Sequence, residues 1–90
     1  MKYANATKYL HDRGYRIFPH ANGYLTRHPQ YTGGIAFEVS TASGRTRNVQ
    51  LNTGTHTIDC NSIKVAVEHH RTEQHRVTAS LSSLRDTSTI

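Results

Sequence analysis

Ninety residues, 34% of them hydrophobic, suffice for one domain and exclude a second, because a chain this short buries only about 60% of the surface it exposes when unfolded. No run approaches the roughly 18 apolar residues of a membrane helix, Met1-Lys2-Tyr3-Ala4-Asn5 lacks the apolar core of a secretory signal, and the single cysteine, Cys60, cannot close an internal disulfide, so the expected compartment is the cytoplasm. The net charge of +5 is uneven: residues 1–58 hold seven Lys and Arg against two acids, and residues 59–90 hold four of each, which points the first two thirds of the chain toward a polyanionic partner.

Asn5 is a predicted N-cap for a short helix over Ala6 to Arg13, which presents Tyr3, Ala6 and Leu10 to the core and ends at Gly14. Tyr15-Arg16-Ile17-Phe18 reads as a strand stopped by Pro19. His20-Ala21-Asn22-Gly23 supplies an Asn-Gly pair for a hairpin with positive φ at both central residues, and Tyr24 to His28 returns. After a loop from Pro29 with a Gly33-Gly34 hinge, Ile35 to Ser40 alternates as a half-buried strand, with Ile35, Phe37 and Val39 inward. Thr41-Ala42-Ser43-Gly44 turns into a strand from Arg45 to Leu51 whose odd positions, Arg45, Arg47, Val49 and Leu51, share one face. Asn52-Thr53-Gly54 is another turn, with Thr55 to Ile58 as a candidate edge strand.

Asp59 or Asn61 is the expected cap of a second helix. Ile63, Val67, His70, Gln74, Val77, Leu81 and Leu84 recur at spacings of four and three, the seam either of a two-stranded coil in a homodimer or of one helix lying across a sheet. The alternative is a helix ending near Gln74 and a loose Ser/Thr-rich tail. The expected fold is therefore α+β in the order α-β-β-β-β-α: a short N-terminal helix, a three- to four-stranded antiparallel sheet and a C-terminal helix. One domain spans residues 1–76, and residues 77–90 form a tail or helix extension. Leu10, Ile17, Phe18, Leu25, Ile35, Phe37, Val39, Val49, Leu51, Ile58, Ile63 and Val67 are the candidate core.

Catalytic chemistry is hard to build from these residues. The seven histidines lack zinc-site spacing, His69 and His75 lying six apart with one solitary thiol, so no metal or other cofactor is expected. Cys60 beside a helix start would have a lowered pKa, yet a lone cysteine is usually a small buried hydrophobe. Six scattered acids offer no paired-carboxylate site, and the chain is expected not to be an enzyme. What remains is a basic sheet: Arg16, Arg27, Arg45 and Arg47 on strands or their ends, interleaved with Tyr15, Tyr24 and Tyr31, guanidinium groups for phosphates beside planar rings, of which Tyr24 and Tyr31 are the candidates to stack on or pack against a ligand.

The segment Thr7-Lys8-Tyr9-Leu10-His11-Asp12-Arg13-Gly14-Tyr15-Arg16-Ile17, with Arg27-His28-Pro29 after a turn, is similar to the opening of the HicA-type mRNA-interferase toxins, which implies a double-stranded-RNA-binding-like fold. Their catalytic Gly-x-His-His stretch is replaced here by Asn22-Gly23-Tyr24-Leu25, so the resemblance does not carry the catalytic residue. Residues 23–74, read as three strands then a helix, resemble the arm-type DNA-binding domains of tyrosine integrases. The expected function is a non-catalytic module contacting nucleic acid or a nucleoprotein through its basic sheet. The alternative is a small phage-type inhibitor, anti-CRISPR proteins included, that blocks a host protein complex.

Overall fold

The computed structural model describes residues 1–74. These form helix α1 (Tyr3–Asp12), strands β1 (Arg16–His20), β2 (Gly23–Arg27), β3 (Gly34–Val39), β4 (Thr46–Asn52) and β5 (Thr57–Cys60), and helix α2, described over residues 63–74. Short connections leave each strand no neighbour but the next, so the sheet is an antiparallel meander in the order β1-β2-β3-β4-β5. It has five strands rather than three or four: the turn at Asn52-Thr53-Gly54 is tight enough to fold residues 57–60 back onto β4, with Leu51 opposite Ile58. Residues 23–74 accordingly hold four strands before the helix, one more than the integrase likeness implies.

Helix α1 begins two residues before the expected cap. Lys2 stands at its N-cap with no side-chain bond, and Asn5 lies exposed within the helix. The chain needs no capping side chain because residues 1–3 pair with the approach to β4: Tyr3 N–H donates to the Gly44 carbonyl at 3.0 Å and Thr46 N–H to the Met1 carbonyl at 2.8 Å. The other end follows expectation. Gly14 takes φ 88°, its N–H bonds to the His11 carbonyl and that of Tyr15 to the Leu10 carbonyl, the paired bonds that close a helix on a left-handed residue. Helix α2 is capped by neither Asp59 nor Asn61 but by Ser62, whose Oγ accepts the Val65 N–H at 3.2 Å.

Both helices cover the same face of the sheet. Ala6 and Leu10 of α1, Ile35 and Phe37 of β3, Val49 and Leu51 of β4 and Ile63, Ala66 and Val67 of α2 make one buried cluster, with Tyr15. Ile63, Val67 and His70 of the heptad seam are thus buried against the chain's own sheet, as in a helix lying across a sheet, and Gln74 is half-buried; Val77, Leu81 and Leu84 lie outside the described residues.

Two irregularities set which side chains face out. The β1–β2 turn places Ala21 and Asn22 in its centre, with positive φ at Ala21 (51°) and not at Gly23, which already pairs with His20 in the sheet. Between the pairs Ala36 with Gln50 and Glu38 with Arg47, Phe37 faces two residues, Asn48 and Val49, and Asn48 takes φ 50°. This bulge reverses the side-chain alternation. Arg47 consequently points outward beside Glu38 while Val49 and Leu51 point inward, rather than the four odd positions sharing a face. Pro19 does not stop β1: the strand continues through it to His20, which an edge strand tolerates because its outer N–H groups have no partner.

The Gly33-Gly34 pair is a close contact, not a hinge. Gly33 has φ 80°, and a Cβ there would strike the Asn52 carbonyl oxygen; Gly34 belongs to β3. Inside the core, Thr26 is fully buried and its hydroxyl has no hydrogen-bond partner among the described residues. Replacing that hydroxyl by a methyl removes a desolvation cost, so Thr26→Val is expected to stabilise the protein by about 1 kcal/mol, while Gly33→Ala destabilises it by more than about 1 kcal/mol. Urea unfolding of the two variants checks both signs.

Candidate functional site

With both helices on one face, the other face of the sheet is uncovered, and strand register assigns its side chains. A continuous row crosses it: Phe18 opposite Leu25, Leu25 opposite Ala36, Ala36 opposite Gln50, and Gln50 opposite Asp59. Phe18, expected in the core, is 46% exposed, and Leu25 is half-buried. A parallel row begins with Arg16 directly opposite Arg27, both exposed. Like charges facing each other across two strands destabilise a sheet. Neither arginine has an acid partner among the described residues, so their mutual repulsion is unrelieved within the fold.

These two arginines line a cleft of about 590 Å³ with Phe18, Pro29, Tyr31 and Gly33. Of the residues expected to bind, the structure therefore brings together Arg16, Arg27 and Tyr31. Arg47 shares the outward face, but Glu38 Oε2 lies 3.6 Å from its Nε, and Asn48 Nδ2 donates to the same oxygen at 2.6 Å. Arg45 is exposed beside Lys2, before β4 begins. Tyr24 lies on the opposite face, half-buried and stacked on Tyr3 at 4.9 Å and on Phe37 at 5.5 Å. Phe18 was overlooked because Ile17 and Phe18 are both apolar, and only register decides which points inward. The lone side-chain hint was Arg16, whose charge belongs outside and so places Phe18, two residues on, outside as well.

The loop carrying Tyr31 is held from below. Tyr31 stacks on His28 at 4.1 Å and meets Tyr15 and His70 edge-on. His70, fully buried, donates from Nε2 to the Thr32 carbonyl at 2.8 Å and accepts the Tyr15 hydroxyl at Nδ1, also at 2.8 Å. A carbonyl can only accept, so Nε2 carries the proton and Nδ1 is the bare nitrogen of a neutral ring. Burial pushes the His70 pKa down, the Thr32 bond opposes this and nearby His28 adds to it. Burial raises that of Tyr15, with lesser contributions from Tyr31 and Tyr9, keeping its hydroxyl a donor.

Cys60 lies in β5, not at a helix start, and burial raises its thiol pKa, with a small further push from Asp59 against a backbone bond at Leu51. Among the described residues no three His, Cys, Asp or Glu side chains are gathered as a metal site would need, and no helix is long and apolar enough to cross a membrane.

A histidine whose folded pKa is depressed binds its proton more readily in the unfolded chain, so its contribution is intact above the ordinary value near 6.5 and is lost as pH falls below it. Stability is expected to drop on acidification from about pH 7.5 to 5, in urea melts. His70→Gln lowers stability at neutral pH by about 1–3 kcal/mol and narrows its gap to the parent at acid pH.

Compared with family models, with characterised proteins and with solved structures, the chain matches none.

Proposed function

We propose that the protein is a nucleic-acid-binding module that contacts its ligand through the uncovered face of the sheet. The observation that carries this function is the Arg16–Arg27 pair, two exposed guanidinium groups on adjacent strands with no acid among the described residues to neutralise them, at the mouth of a cleft that also holds Phe18 and Tyr31. Guanidinium forks match phosphate oxygens, and a phosphate between two arginines turns their repulsion into a joint attraction. The net charge of +5 adds long-range attraction for any polyanion.

The outward apolar row of exposed Phe18 and half-buried Leu25 and Ala36 supports a second use of the same face, docking on an acidic protein surface as an inhibitor of a nucleoprotein machine would. The two uses differ in their response to salt and to nuclease.

Fluorescence anisotropy with DNA and RNA oligonucleotides is expected to detect binding at low salt. Affinity should weaken roughly 7- to 40-fold between about 50 and 200 mM salt for two or three phosphate contacts. Arg16→Gln with Arg27→Gln should flatten that dependence without changing the melting temperature downward. Absence of binding at low salt, with a protein partner that survives nuclease treatment, would establish the inhibitor use instead.

A further inference from the structure

The outward side of β3 carries Gly34 and Ala36 at one end and Glu38 at the other. Gly34 and Ala36 form its floor, with the Leu25 and Arg27 side chains 3.5 Å from where a Cβ of Gly34 would stand. Two shallow concavities of about 240 and 280 Å³ follow this strand and meet at Ala36, between His20 and Gln50. The first also shares Arg27 and Gly33 with the larger cleft, so the three are continuous. The result is a trough along β3, its walls two strand spacings or about 10 Å apart.

The walls differ in chemistry. On the β1–β2 side stand Arg16, Arg27, His20 and the exposed ring of Phe18. On the β4–β5 side stand the amides Gln50 and Asn52 with Asp59 beyond them, and Arg47, paired with Glu38, toward the other end of β4. Gln50 Nε2 donates to Asp59 Oδ1 at 3.0 Å and Asn52 Oδ1 accepts the Gly54 N–H at 2.8 Å, which leaves Gln50 Oε1 as an acceptor and Asn52 Nδ2 as a donor without a partner among the described residues. Both unoccupied groups suit base edges.

From this polarity we infer that the ligand of the face is a single strand of nucleic acid lying along β3. One phosphate lies between Arg16 and Arg27, which face each other level with Gly34, one base stacks on Phe18, and base edges turn toward Gln50 and Asn52. A duplex fits less well, since it presents phosphates on both flanks and the flank over β4 and β5 would meet Asp59. An exposed ring needs an unstacked base to pair with, and a duplex keeps its bases stacked. The inference rests on the nucleic-acid function proposed above and adds strandedness and direction to it.

The test is anisotropy with one 12-nucleotide sequence, as a single strand and as a duplex, at fixed low salt. The single strand is expected to bind the parent at least tenfold more tightly. Phe18→Ser should weaken single-strand binding by about tenfold and leave the salt slope unchanged, because stacking releases no counterion. Arg16→Gln should reduce the slope by about 0.7, the value of one phosphate on a single strand. Ala36→Leu, which fills the waist of the trough on an outward position, should also cost single-strand affinity, and gives a second reading should Phe18→Ser alter the fold by circular dichroism. Equal or tighter duplex binding, or single-strand binding indifferent to both Phe18→Ser and Ala36→Leu, would overturn the inference while nucleic-acid binding itself stood. No binding of either form would remove both.

Discussion

Apolar side chains sufficient for one face of a five-stranded sheet, and no more, constrain everything else in this fold. The buried set draws on both helices and on the inward positions of β3 and β4, and it is complete without any residue from the outward face. A thin core of this kind depends on directional bonds to fix what packing alone leaves loose. His70 supplies them. Its two ring nitrogens tie α2 to the residue that closes α1, Tyr15, and to the loop that leads into β3, through Thr32. Either nitrogen left unpaired at zero exposure would carry the full cost of desolvation, so the two bonds stand or fall together.

That arrangement also explains why the basic cleft has a definite shape. Tyr31 is one residue from the carbonyl that His70 holds, and its ring is clamped between His28 and the edges of Tyr15 and His70. The outer rim of the cleft is therefore braced by the inner layer of the protein. A ring held in place by a buried network would lose less freedom in any contact than one on a free loop.

Much of the scaffold was legible in the sequence, and the illegible parts share a cause. The alternation of Ile35, Phe37 and Val39, the helix stop at Gly14 and the exposure of Arg16 and Arg27 each follow from one residue's intrinsic preference, and each appears as expected. What escaped were features decided by a distant partner. The first turn of α1 is anchored by Gly44 and Thr46 and not by a capping Asn5. Arg47 faces out because a bulge at Asn48 shifts the register with β3. His70, read as a polar member of a heptad, finds both its partners 38 and 55 residues away in sequence. At the candidate site the arginines were visible as charges, while Phe18 and the bare floor at Gly34 and Ala36 emerged only once strand order fixed which side of each residue is open.

The proline within β1 has a consequence for the life of such a face in solution. An exposed phenylalanine on an edge strand invites a second chain to add its own strand there, and that growth would bury the open face in an aggregate. Pro19 follows Phe18 directly and offers no N–H, and Arg16 sets a charge two residues away on the same side. Pro19 and Arg16 thus disfavour strand addition at this edge while the ring of Phe18 stays in water.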